Sequence, residues 1–311
     1  MVVAPATANI IAKMANGIAD DLISTTLLAT PRPIVVAPAM NNGMWKAPAT
    51  QANMTTLRER GVHVVGPGSG YLACGDVDTG RMSEPEDIVE AVCKLLDPAP
   101  QDLVGKRIVI TAGPTHEPID PVRFIGNRSS GKMGIALAGE AARRGAAVTL
   151  VLGPTSLHVP CGVECVRVQT AAEMLQAALS AFQTSDAAIC AAAVADYTPA
   201  APADHKLKKD NERLDRIELV ETVDILAELS RQKGDRRVIG FAAETDNVVE
   251  YAQRKLVRKG CDAIIANDVS RADSGFGTDT NKAWIVSTAG TQELPVLTKP
   301  QLADTILDLL Q

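Results

Sequence analysis

At 311 residues the chain has room for two domains of ~150 residues. Its 46% apolar and 22% charged residues are those of an ordinary globular protein, and with only 3% aromatics the core must be built from Val, Ile, Leu and Ala. A net charge of −6 offers no positive field to gather a phosphate backbone, which argues against a nucleic-acid partner.

No run of ~18 apolar residues spans a membrane, and the first residues do not read as a secretory leader, so a cytoplasmic protein with no membrane partner is expected. In that compartment the six cysteines, Cys74, Cys93, Cys161, Cys165, Cys190 and Cys261, stay reduced, and their spacing suggests no disulfide framework. Cys161 and Cys165 with His158 nearby lack the tight pairs of a zinc site, so no metal ligands are assigned.

Read in order, residues 1–5 resemble the end of a buried strand, 8–19 a helix, and 34–37 a short β-branched strand closed by Pro38. A helix over 50–60 stops at Gly61, a strand follows at 62–65, and Glu84-Pro-Glu-Asp opens a helix with acids in its first turn. Pro and polar residues at 97–105 read as a linker between a first domain, 1–96, and a second, 106–311. In the second, strands at 106–111, 147–152, 187–193, 237–242, 262–266 and 284–287 alternate with helices at 131–145, 171–182, 223–231, 248–259 and 299–310. Short apolar strands separated by helices predict an α/β, Rossmann-like doubly wound sheet.

Ligands of such sheets bind beyond the carboxyl ends of the strands, and the unusual residues fall there. After the strand at 106–111 come a Pro-rich loop and Gly126-x4-Gly131-Lys132, directly ahead of a helix. This copies most of a phosphate-cradling loop, but Met133 stands where a Mg²⁺-binding Ser or Thr is required. What remains is an anion site of backbone amides at a helix N-terminus; standing alone, the stretch reads equally well as a solvated turn and cap. Asp196, Lys206, Phe241 and Asn267 follow the later strands. Lys255 and Lys259 lie four apart and can share one helix face.

The strings TAGPTHEPIDPVRFIGNRSSGKMG (111–134), AAAVADYTP (191–199), KLKK (206–209), GFAAET (240–245) and ANDVS (266–270) resemble, in this order, those of phosphopantothenate–cysteine ligases. The resemblance implies activation of the 4′-phosphopantothenate carboxylate by CTP with Mg²⁺, giving an acyl-cytidylate that the amine of cysteine then attacks. It places Lys206, Lys255 and Lys259 on the nucleotide, and Phe241 with Cys190, Ala191 and Ala192 around cytosine and ribose, Asp196 beside them. Asn127 matches the residue linked to conversion of the acyl-cytidylate. Val223, Asp224, Ile225 and Leu226 match a nucleotide-contacting segment, although Thr222-Val223 replaces the family's Asn-Pro. A homodimer through this domain, within a larger assembly, is also implied.

Residues 1–96 carry APATAN (4–9), PAMNNGMW (38–45) and GYLACGDVDTGRM (70–82), which resemble the FMN-dependent phosphopantothenoylcysteine decarboxylases that bacteria fuse ahead of the ligase. Cys74 matches that family's loop cysteine and Asn41 the amide that holds the substrate carboxylate. The family's opening strand, flavin-phosphate loop and catalytic histidine have no counterpart, so a partial flavodoxin-like domain without decarboxylase competence is expected. A nicotinamide-dependent oxidoreductase would require G-x-G-x-x-G after the first strand of the second domain, where none stands. A flavoprotein remnant that only binds partners would have no use for the ligase strings.

Overall fold

The computed structural model describes residues 1–71, 77–96, 100–208, 216–271, 273–275 and 277–311. They form two compact units, Met1–Ala99 and Pro100–Gln311.

The first unit runs β1 (Val2–Ala6), α1 (Ala8–Asn16), α2 (Leu22–Ala29), β2 (Val35–Pro38), α3 (Asn42–Lys46), α4 (Pro48–Glu59), β3 (His63–Val64), β4 (Gly68–Tyr71), β5 (Val77–Arg81) and α5 (Pro85–Leu96). Strands β1, β2 and β3 pair in parallel in that order, while β4 and β5 form an antiparallel pair. Ala6, Ile11, Val36, Met54 and Leu57 make a small core between sheet and helices. The helix predicted over 8–19 ends sooner. Gly17 closes α1 in the left-handed region, and Asp21 opens α2 with a capping box to Ser24. Sequence reading passed over α2 because its Ser-Thr-Thr interior weakens the helical signal.

The second unit runs β6 (Arg107–Ala112), β7 (His116–Pro118), β8 (Phe124–Gly126), α6 (Lys132–Arg143), β9 (Ala147–Leu152), β10 (Glu164–Arg167), α7 (Ala171–Phe182), β11 (Ala187–Cys190), β12 (Tyr197–Pro199), β13 (Leu219–Glu221), α8 (Ile225–Arg231), β14 (Arg237–Glu244), α9 (Val248–Lys259), β15 (Ala263–Asp268), β16 (Thr280–Ser287), β17 (Gly290–Thr298) and α10 (Lys299–Leu307). Eight strands form one sheet in the order β10-β9-β6-β11-β14-β15-β16-β17. All neighbours from β10 to β15 are parallel, and the last two strands turn antiparallel.

Period-2 alternation explains why these strands read as unbroken apolar runs. Ile108 and Ile110 face one side of the sheet with Leu150, Ile189 and Ile265, packed against α6 and α10. Val109 faces the other side with Val151, Ala188 and Ile264, packed against α7, α8 and α9. Each fully buried aliphatic side chain contributes about 1.5–3 kcal/mol, so both faces must be covered.

Residues 100–105, read as linker, belong to this unit. Leu103 is fully buried in its core. Asp102 accepts from the Arg144 guanidinium at 3.0 and 2.5 Å, a two-pronged pair. The Arg144 side chain is only 1% exposed and also pairs with Asp304 at 3.1 Å and Asp308 at 2.8 Å. One buried cation thus ties the entry segment and the C-terminal helix to the end of α6.

Replacing Arg144 by Met should destabilise the unit by about 2–4 kcal/mol, and Lys should restore little of that because an ammonium lacks the planar fork. Urea unfolding tests this; midpoints equal to the parent's would show the clamp to be dispensable.

Candidate active site

The order of strands reverses between β6 and β11. After β6 the chain moves to β9 and β10 on one side; it then crosses by α7 to β11, β14 and β15 on the other. Crevices open at such switch points. Here a cleft of about 390 Å³ is lined by residues 127–134, 191–194, Asp196, residues 241–243, Lys255, Asn267, Gly275, Asn281 and Lys299.

One wall is the amino end of α6. Gly131, at φ 80°, caps the helix without a side chain, leaving backbone N–H groups at its positive end. Gly134 permits α6 to lie against β6, since a Cβ there would collide with Ala112. Asn127 spans the switch point: its Nδ2 donates to the Val194 carbonyl at 2.9 Å. The loop that carries it is pinned elsewhere too. Buried Glu117 accepts from Ala171 N at 2.8 Å at the start of α7.

The opposite wall comes from β14 and α9. Lys255 Nζ donates to the Phe241 carbonyl at 2.8 Å, and burial pulls its ammonium below the usual lysine range. Lys259 pairs with Asp224, which also caps α8 by accepting from Ala227 N at 2.8 Å. Burial alone would raise the Asp224 carboxyl; the Lys259 ammonium and the Ala227 N–H outweigh it and hold the group below its ordinary value.

Of the predicted residues, Asn127, Ala191, Ala192, Asp196, Phe241 and Lys255 line the cleft together. Others are placed differently. Ile225 and Leu226, the first two residues of α8, are buried in the core beneath that helix, so their side chains serve packing. Val223 is 57% exposed and outside the lining. Cys190 lies under the floor, where burial pushes its thiol up to about 12 and out of thiolate chemistry. Lys206 is exposed and also outside the lining, yet its neighbour is anchored: Asp120 accepts from Leu207 N at 3.2 Å while Arg123 donates to the Leu207 carbonyl at 2.8 Å. In the first unit, Asn41 caps α3 by accepting from Gly43 N at 2.8 Å. Cys74 lies outside the described residues.

Sequence reading missed Arg128, Lys299 and Asn281 as cleft residues, and took Lys132 only as part of the loop. The last helix supplies Lys299, and nothing local announces that it returns to α6. The one signal was a lysine in a helix's first turn, against the dipole preference. The lining therefore contains four cations, Arg128, Lys132, Lys255 and Lys299, against one carboxylate, Asp196. On a chain of net charge −6 this is a local inversion of sign that draws anions.

An open α/β sheet with a cleft at its switch point is the architecture of a small-molecule-binding α/β domain. Residues 103–311 match the family described as DNA/pantothenate metabolism flavoprotein C-terminal domain, and residues 1–97 match the family described as flavoprotein. The chain is 49% identical over 310 residues to the coenzyme A biosynthesis bifunctional protein CoaBC of Bacillus subtilis (strain 168), covering 99% of this chain and 76% of that protein. It is 48% identical to the Escherichia coli (strain K12) protein of the same name over 311 residues, with the same coverage. The crystal structure of the C-terminal domain of a coenzyme A biosynthesis bifunctional protein CoaBC superposes with a TM-score of 0.57 at 46% identity, covering 67% of this chain and 94% of that one. The chain belongs to the family of coenzyme A biosynthesis bifunctional proteins.

Because the folded Asp224 carboxyl titrates below its unfolded value, the stability it contributes is complete above about pH 5 and is lost as the pH falls through the acid range. Asp224→Asn keeps a cap but loses the Lys259 pair. It should cost about 0.5–1 kcal/mol near neutrality, a figure already discounted for partial exposure. The gap between the urea midpoints of parent and variant should narrow steadily as the pH is lowered below about 4; a gap that stays constant through the acid range would reject the assignment.

Proposed function

We propose that the second unit joins cysteine to 4′-phosphopantothenate at the expense of CTP, through an acyl-cytidylate. The inversion of charge in the cleft carries this reading. Bringing a carboxylate to a triphosphate gathers several negative charges, and pyrophosphate departs with more, so the site needs cations fixed in advance. Lys255 and Lys132, the latter already paired with Asp279, line that space from opposite walls, and the amino end of α6 adds a neutral anion seat. Small residues 191–193 let a nucleoside approach the strand end, with Phe241 and Asp196 beside it.

Among the described residues no group of three or more His, Cys, Asp or Glu is placed to hold a metal. Mg²⁺ fits here as the nucleotide's own complex, held mainly by phosphate oxygens, with Asp196 the carboxylate within the lining. Lys206, tethered through Leu207 to Asp120 and Arg123, supplies a further cation from a loop beside the cleft. Asn127 has its Nδ2 committed across the switch point, which fixes the amide where the acyl group passes from nucleotide to amine.

The first unit matches the flavoprotein family, and we read it as part of a flavin-dependent decarboxylase acting on the same product. By the open-sheet rule a flavin belongs beyond the carboxyl ends of β1 and β2, where Thr7 and Asn41 stand. A cavity of about 190 Å³ in this unit lies instead near the amino ends of β2 and β3, lined by Ile34, Val62 and Arg60, and does not suit the role. A bound flavin would supply a reversible two-electron acceptor that takes electrons from the substrate thiol and returns them after CO₂ leaves, while Asn41 would hold the carboxylate. The assembly is a cytoplasmic enzyme, dimeric through the second unit.

The test is pyrophosphate release from the purified chain with CTP, Mg²⁺ and 4′-phosphopantothenate, before and after cysteine. Release that requires phosphopantothenate, followed by amide product, supports the reading, and no release from folded protein refutes it. Asn127→Asp, which cannot donate to the Val194 carbonyl, should slow amide formation by on the order of 10²-fold while pyrophosphate release changes by less than about threefold. Normal amide formation by this variant would remove Asn127 from the second step.

A further inference from the structure

Lys299, the first residue of α10, is 4% exposed and lines the cleft. Its ammonium donates to Asn281 Oδ1 at 2.5 Å and to the Gly275 carbonyl at 3.2 Å, both neutral acceptors. No carboxylate among the described residues pairs with it. Asp279, the acid that bears on it, is taken by Lys132 at 2.6 Å. The positive end of α10 opposes the charge as well.

The contrast with Arg144 is direct. That cation is equally buried, faces no cleft, and has three carboxylates closed around it. A buried cation with no anion of its own is costly to keep, and Lys299 keeps its charge on the wall of an anion-seeking cleft. Burial, with the Lys132 ammonium adding to it, pulls Lys299 down to about 8, so the missing counter-charge is felt near neutral pH.

We propose that Lys299 is a substrate-binding residue of the ligase cleft, its ammonium receiving a phosphate oxygen of a bound substrate. Asn281 and the Gly275 carbonyl then act as positioning groups that aim the ammonium while the cleft is open. Asn281 is itself buried at the start of β16, and the loop ahead of it is pinned by Ser274 Oγ donating to Asn267 Oδ1 at 2.9 Å. This rests on the ligase reading. The phosphate oxygen belongs either to CTP or to 4′-phosphopantothenate, and the two are separable because each is titrated alone.

Calorimetric titration of the full chain with CTP and Mg²⁺, and separately with 4′-phosphopantothenate, compares the parent with Lys299→Met and Lys299→Arg. The Met variant should bind one of the two ligands at least about 30-fold more weakly and the other within about threefold. Its thermal midpoint should be equal to or above the parent's, because an uncompensated buried charge has been removed. The weakened ligand identifies the phosphate. The Arg variant should recover most of that binding. In the parent, affinity for that ligand should fall as the pH rises from about 7.5 to 9.5, and the fall should vanish in Lys299→Arg, whose guanidinium stays charged. Lys132 on α6 and Asp279 ahead of β16, the charged groups that bear on Lys299, are present in every variant.

Unchanged binding of both ligands by Lys299→Met overturns the proposal while leaving the ligase reading intact. So does a Met variant of lowered stability that Arg does not rescue, which marks a structural lysine. Should Lys299→Met fail to fold, the Arg variant decides: the parent's pH dependence retained there overturns the proposal. A parent chain that binds neither ligand overturns the ligase reading and this proposal with it.

Discussion

Positive charge turned inward is the constraint on which the second unit is built. Removing a cation from water costs several kcal/mol unless something pairs it, and the two solutions found here have opposite consequences. Around Arg144 the chain supplies Asp102, Asp304 and Asp308 itself, and the result is a structural clamp between the start of the unit, α6 and α10. In the cleft, Arg128, Lys132, Lys255 and Lys299 meet a single lining carboxylate, Asp196. Lys132 is matched there by Asp279 outside the lining, whereas Lys255 and Lys299 rest on carbonyl and amide oxygens, and on the proposed reading a ligand completes their compensation. The clamp and the cleft share α6 and α10, so stability spent at one end of these helices is supported at the other.

Sheet topology decides where this charge can be used. The chain leaves the neighbouring strands β6 and β11 toward opposite sides of the sheet, which parts the loops above them, and α6 points its amino end into the gap. The strands below need only be apolar on both faces. Their residues are accordingly interchangeable aliphatics, whereas Asn127, Lys132, Lys255, Asn267, Asn281 and Lys299 in the lining each have a polar partner. Gly134 shows how closely the layers are set, since only a residue without a Cβ lets α6 rest on β6 at that point.

The buried strands and the helices over 171–182 and 248–259 were legible in the sequence because burial on both faces or on one stripe writes a clear period. The edges were not. Strands β10 and β17 carry mostly exposed residues, and β7, β8, β12 and β13 are three residues each, too short for any period. For the site, residues of the strand-end strings fall on the cleft, but their depth was not legible. Ile225 and Leu226 adjoin a functional-looking Asp224 in sequence and yet turn into the core, because a helix rotates by ~100° per residue. Lys299 was invisible for a different reason: its relevance depends on α10 packing beside α6, a contact across more than half the unit.

The long loop between β6 and α6 is what converts scattered motifs into one site. Glu117 fastens it to the start of α7, Asp120 and Arg123 fasten it to Leu207, and Asn127 fastens it to the carbonyl of Val194. Three segments that lie 54 to 87 residues away in sequence are therefore referenced to one stretch of backbone. Proline at 114, 118 and 121 keeps that stretch from relaxing into a helix. The Asp120 carboxylate is fully enclosed and accepts from Val122 N, Arg123 N, the Arg123 guanidinium and Leu207 N, so its charge is spent on geometry alone. A ligand seated on the amides of α6 thus meets walls already set in place, and catalysis by prearranged charge requires that the walls not move when the charge arrives.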